Sequence, residues 1–303
     1  MKRDALPLSE NSASSGSSNG TVRWPGSLAL QATRDEASGA TRVHARHEGP
    51  LRLLKTLYPE GPGIAHAVLV HPPGGLVGGD RLDVQVDVAP GAHLLLTNPA
   101  ATRFYRSLGL PAVQQVQARV APGARLEWLP QETLAYDGCK GVNEVRLRLE
   151  GEGSSLMASE LLALGLPEAG KPFTQGSLLQ HLEIEGLWRD RGRIAAQDEA
   201  LLHGPCGLGG RRVLGTLLFA QGRALDAAAL EPLIDASRAM LAEAAAEHTS
   251  LIGGVTLLHG RMLLARLLAD DVEPAQAVLR RVRALWRKAL WDLEPVEPRI
   301  WAT

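Results

Sequence analysis

From residue 64 onward the dominant spacing of apolar residues is two. Leu82, Val84, Val86 and Val88 alternate with Asp83, Gln85 and Asp87. Val113, Val116, Ala118 and Val120 form a less regular run, and Val145, Leu147 and Leu149 alternate with Arg146, Arg148 and Glu150. Leu182, Ile184 and Leu187 sit among His181, Glu183 and Glu185. Successive side chains of a strand point to opposite faces, so each run predicts a strand with one buried face. One pattern returns: VAPGAHLLL (Val88 to Leu96) recurs 32 residues later as VAPGARLEW (Val120 to Trp128), and LEGEGSSLM (Leu149 to Met157) is a looser third copy. In each, a strand meets a Pro-Gly or Glu-Gly turn and another strand begins. Glycine supplies positive φ there, and proline pre-sets φ before it. Repeated hairpins of equal spacing predict a mainly β fold of stacked or sandwiched antiparallel sheets.

Two segments switch to the helical period. Between Asp226 and His248, Leu230, Leu233, Ile234, Met240 and Leu241 fall near one face of an alanine-rich stretch. Between Glu273 and Leu290, Val278, Leu279, Val282, Leu285, Trp286 and Ala289 do the same. Pro274 suits the first turn of that second helix, and Asp271 is placed to cap it. Its other face carries Arg280, Arg281, Arg283, Arg287 and Lys288, either a solvated face or a docking surface for an acidic partner. The intervening apolar stretch reads as two strands turning at His259-Gly260, because Gly253 and Gly254 weaken a helix.

A formal net charge of −1 gives no global field for nucleic acid. Cys139 and Cys206 form no CxxC, which points to two reduced cytosolic thiols rather than a disulfide framework or zinc knuckle. No apolar run is long enough to span a membrane. Lys2 and Arg3 are followed by Asp4 and Glu10 without an apolar core, unlike a secretory leader. The serine-rich start predicts a disordered tail over residues 1–20, ahead of a single β-rich domain over 21–303.

HPPGGLVGGD, from His71 to Asp80, invites a phosphate-binding reading. Asp80 and Arg81 stand where a P-loop needs Lys and Ser or Thr, and an alternating strand follows where a dinucleotide fold needs a helix. The segment is better read as a sharply folded joint, with Asp80 bonding local amides or facing a ligand. The chain has no HExxH, HxH or GxSxG motif, and its carboxylates at Glu132, Asp137, Glu160, Asp198 and Glu199 form no evident acid–base pair. No catalytic residue and no tightly bound cofactor are expected. TNPAATRFYRS clusters Thr97, Arg103, Tyr105 and Arg106 after a buried strand, a composition that suits a protein interface.

HPPGGLVGGDRL, TNPAATRFYRS, LEWLPQETLAYDG, GLGGRRVLGTL and EPRIWAT, in that order between His44 and Thr303, resemble the urease accessory protein UreD (UreH) family. The sequence departs at Asn98-Pro99-Ala100, where the family commonly has Thr-Pro-Gly. Gly165-Leu166 and Gly170-Lys171 replace a Gly-Arg and a Gly-Glu. The resemblance implies a mainly β, non-enzymatic factor in the cytoplasm. It would act with UreF and the GTPase UreG on the urease apoprotein, promoting nickel delivery and carbamylation of the active-site lysine. It further implies transient Ni²⁺ along a polar passage. The residues assigned to that passage are Asp80, Asp137, Glu160 and Asp198, with His71. Thr97, Arg103 and Tyr105, together with Arg280 and Arg283 on the second helix, are the docking candidates. The competing readings are a β-rich hydrolase using His71 and Asp80, and a purely structural adaptor with no metal role.

Overall fold

The computed structural model describes residues 24–302; the tail expected over residues 1–20 lies outside them. Strands β1 (Trp24–Arg34), β2 (Thr41–Glu48), β3 (Arg52–Leu53), β4 (Ile64–Val70), β5 (Asp80–Val88) and β6 (His93–Thr97) come first. Next are β7 (Thr102–Phe104), β8 (Ala112–Val120), β9 (Arg125–Trp128), β10 (Thr133–Ala135), β11 (Cys139–Leu149) and β12 (Ser155–Leu164). β13 (Gly176–Ile184), β14 (Trp188–Ala195), the short α1 (Glu199–His203) and β15 (Val213–Gln221) follow. The last part is α2 (Ala227–Glu247), β16 (Ile252–Leu258), β17 (Met262–Ala269), α3 (Val272–Trp291) and a 3-10 turn at Arg299–Ala302.

The strands form two packed sheets. The first runs β14-β13-β11-β8-β5-β1-β2. The second runs β16-β17-β15-β12-β9-β6-β4-β3, with β10 attached to β12 and β7 to β10. The mainly β architecture with two long C-terminal helices is as the periodicity predicts. The sheets, however, are mixed rather than antiparallel. β1, β5, β8, β11 and β13 pair in parallel, as do β4, β6, β9 and β12; antiparallel pairs lie toward the edges. The repeat explains why. Each Pro-Gly or Glu-Gly turn carries the chain from one sheet into the other instead of folding it back within a sheet. The three copies therefore stack in register: Val88 on Val120 on Leu149 in the first sheet, and Leu94 on Leu126 on Leu156 in the second.

Two apolar layers result. Leu82, Val84, Val86, Val116, Leu126, Leu147 and Leu156 fill the space between the sheets. Met157, Leu161, Leu217, Phe219 and Leu263 face α2 and α3 across the second sheet, against Val278, Val282 and Trp286. Each such buried Leu or Val contributes about 1.5–3 kcal/mol relative to an exposed one. Asp226 caps α2 by accepting from the amides of Ala228 and Ala229. Asp271 stands at the start of α3 but does not cap it; its carboxylate pairs with Arg212 at 3.1 Å. The hairpin expected at His259-Gly260 forms, both residues having positive φ.

Candidate functional site

The glycine-rich joint sits at one end of the sandwich, against two other motif loops. The Leu76 amide donates to the Arg103 carbonyl at 2.7 Å, and the Tyr105 amide donates to that of Leu76 at 2.9 Å. The Tyr136 amide donates to Phe104 and the Ser107 amide to Gly138. The glycines are required by this closeness: a Cβ on Gly75 would lie 2.3 Å from the Tyr105 ring, and one on Gly78 would lie 2.3 Å from Ser107 Oγ. Tyr105 packs edge-on to Tyr136, with ring centroids 4.9 Å apart, and Arg103 is half-buried. Asp80 closes the joint by accepting from the Val77 amide at 2.9 Å, while its second oxygen is buried without a partner. Half-buried His71 has its pKa lowered, because desolvation outweighs the nearby Asp80 charge.

A second polar assembly crosses the space between the sheets. Gln114, Asn143 and Gln180 are register neighbours on β8, β11 and β13. Gln114 donates to Asn143 at 3.0 Å, Asn143 donates to Gln180 at 3.2 Å, and Gln180 donates to Glu160 of β12. All three amides thus donate toward one carboxyl group. Burial and the neighbouring Asp190 charge push the Glu160 carboxyl up to about 8, against the lowering effect of the Gln180 bond. Glu160 also lines a cavity of about 630 Å³ at the open side of the sandwich, together with Gln180, Thr216 and aliphatic walls from Leu162, Leu182 and Leu214. An exposed ion pair, Arg266 to Asp190 at 2.7 Å, joins the two sheets at its rim.

On its inner side Glu160 borders a chamber of about 10 Å³, lined also by Gln114, Asn143, Thr133, Gln131 and Trp128. The Trp128 Nε1 is buried without a partner. Gln276 of α3 donates to Gln131 at 2.7 Å, and a further space of about 30 Å³ lies between Ser159, Gln276, Arg280 and Trp301. Polar groups therefore continue from the open cavity to the underside of α3.

Of the five expected path residues, only Glu160 lies on this row. Asp137 Oδ1 instead accepts from the amides of Thr174 and Gln175, at 2.8 Å each, and from Thr174 Oγ1 at 2.9 Å. Asp198 caps α1 through the Leu201 amide at 3.0 Å. These bonds make both groups latches for local turns. Asp80 and His71 belong to the glycine-rich end, so the structure does not bring the five residues together. Among the described residues, no group of three His, Cys, Asp or Glu side chains is arranged to hold a metal ion.

The docking candidates also divide. Thr97 is 2% exposed; its hydroxyl donates to the Leu129 carbonyl at 2.6 Å and accepts from Trp301 Nε1 at 2.9 Å. It is an interior fastener, not a contact surface. Arg283 is 3% exposed and Arg287 fully buried, so neither the solvated nor the docking reading holds for these two. Both reach Glu127 of β9, Arg283 at 2.5 Å and Arg287 at 3.1 Å, and His93 meets the same carboxylate at 3.0 Å. Arg287 also binds Glu60 at 2.7 Å, and His66 sits 2.7 Å from Glu60. Half-buried Arg280 lies 4.4 Å over the Trp301 ring, leaving Arg281 and Lys288 as the exposed cations of α3.

Sequence patterning offered one signal for this network. In the stacked repeat Glu127 aligns with Leu95 and Met157, both fully buried, so a carboxylate in that row requires cations from another element.

The UreD urease accessory protein model matches residues 25–302. The chain belongs to the UreD family of urease accessory proteins. It is 51% identical over 282 residues to the urease accessory protein UreD of Leptothrix cholodnii, covering 93% of this chain and all of that one. The corresponding protein of Verminephrobacter eiseniae is 50% identical over 279 residues, covering 92% and 99% of the two chains. That of Paracidovorax citrulli is 51% identical over 256 residues, covering 84% and 91%. For this UreD-family chain, the motifs HPPGGLVGGDRL, TNPAATRFYRS and the LAYDG end of the third all map to the same end of the sandwich.

Proposed function

We propose that this chain is a non-catalytic factor of urease maturation, working in the cytoplasm with UreF and the GTPase UreG on the urease apoprotein. In this reading nickel bound for the urease active site travels as cargo along the polar row that converges on Glu160. The observation carrying the proposal is that row itself: three amides and a carboxyl group bonded in sequence inside the sandwich, reached by an open cavity. Buried polar groups are costly unless they are used or fully bonded, and this set leaves an acceptor facing the cavity.

The donor set suits passage rather than storage. Ni²⁺ accepts oxygen ligands and water, and a tight site would retain it. With a pKa of about 8, Glu160 is mostly protonated at neutral pH, and an arriving divalent cation displaces that proton. The hydrolase reading draws no comparable support, since neither His71 nor Asp80 lines the cavities described above.

The test is co-expression with urease and the remaining accessory proteins in a host lacking its own copy of this factor. Complex assembly, nickel per active site and urease activity are then measured. Glu160→Gln should assemble normally yet lower nickel content and activity several-fold. Unchanged nickel loading with an intact complex would remove the conduit and leave an adaptor.

A further inference from the structure

β14 is an edge strand of the first sheet, with β13 on one side and no strand on the other. Its residues alternate sharply. Asp190, Gly192 and Ile194 face the 630 Å³ cavity, whose lining Arg193 also joins. Arg189, Arg191 and Arg193 register with Glu183, His181 and Leu179, on the opposite face from the cavity-lining Leu182 and Gln180, and all three are exposed. Arg193 donates to Ser177 Oγ at 3.1 Å; none of the three has an ion pair among the described residues. On the other edge of this sheet, Arg42 on β2 pairs with Asp35 at 3.1 Å, while the exposed Arg46 of the same strand has no ion pair among the described residues.

Charged side chains on an edge strand ordinarily discourage further pairing. Here the flank of that edge also opens into a largely apolar cavity, and Ile252, 46% exposed, lines it from the second sheet. A strand added beside β14 would continue its alternation, one row of side chains entering the cavity and the other lying over the arginines. We propose that β14 is a docking strand for an extended acidic segment of a partner protein, which drops apolar side chains into the cavity and sets carboxylates against Arg189, Arg191 and Arg193. This goes beyond the maturation role: the three arginines lie off the polar row, but the segment's apolar side chains would occupy the cavity that Glu160 also lines, so docking there would close that opening.

Cys206 provides a reporter, since it is exposed and lines the same cavity while Cys139 is buried. A fluorescein-labelled peptide alternating glutamate and leucine is titrated against the full chain, beside a lysine–leucine counterpart. The acidic peptide should bind, slow amide exchange over residues 189–195, and slow alkylation of Cys206 by N-ethylmaleimide. Arg189→Glu with Arg191→Glu should weaken binding by roughly tenfold or more without moving the melting temperature. Absence of binding, equal binding of the two peptides, or binding with Cys206 reacting at its free rate would overturn the proposal. Any of these results leaves the nickel reading standing, because Glu160 and its amides are untouched.

Discussion

Glu127 and Glu160 stand on neighbouring parallel strands of one sheet, and their surroundings drive them in opposite directions. Burial alone raises the pKa of each. At Glu127 that effect is outweighed by Arg283, His93 and Arg287, which hold the carboxyl far below its usual range. Glu160, facing the other way, receives one amide hydrogen bond and the repulsion of Asp190, and its pKa rises to about 8. Depth does not decide whether an interior carboxyl group is ionised; the number of fixed cations around it does. The two faces of the second sheet therefore hold different polar interiors. One is an ionised clamp that fastens α3, and the other is an uncharged row beside a cavity.

The largest effect expected from disturbing this contrast is at the clamp. Glu127→Ala leaves two buried guanidinium groups uncompensated and should destabilise the fold by about 3–5 kcal/mol in chemical denaturation. A loss below ~1 kcal/mol would mean that Arg283 and Arg287 find water or other partners. Gln180→Leu should cost about 1–3 kcal/mol, because Asn143 loses its acceptor and Glu160 its donor. Thr97→Val removes the hydroxyl that links Leu129 to Trp301 and should cost about 1 kcal/mol. Glu160→Gln should change stability at pH 5 least of all, yet it should alter the pH profile. A carboxyl whose folded pKa exceeds its unfolded one binds its proton more tightly in the folded state, so stability falls as pH rises from about 4.5 to about 8. Melting curves across that window should flatten in Glu160→Gln. The Glu127 contribution has the opposite sign, being fully present above pH 4.5 and lost as acid approaches its depressed folded pKa.

Strands and long helices were legible because their signals are local: period two in Leu82–Val88, and apolar spacing in Val278–Trp286 that survives any tertiary context. The repeat was legible too, but not the direction of its pairing. A Pro-Gly turn looks the same whether it closes a hairpin or passes between sheets, and only packing distinguishes them. Side-chain partners across long separations were the least legible. Arg283 and Arg287 read as surface residues, solvated or docking, because helix periodicity places them without revealing that Glu127, 156 residues away from Arg283, waits beneath. Asp137 and Asp198 illustrate the converse, since carboxylates in turns are usually spent on nearby amides.

The clamp also has a consequence for synthesis. Until the ribosome has released α3, the sheet face bearing Glu127 lacks both guanidinium partners and the apolar cover of that helix. A polypeptide cut short before Arg283 would display an anionic spot within a broad greasy surface, a mark that chaperones and proteases recognise in unfinished products. Completion of the last helix is thus the step that converts a sticky intermediate into a finished molecule.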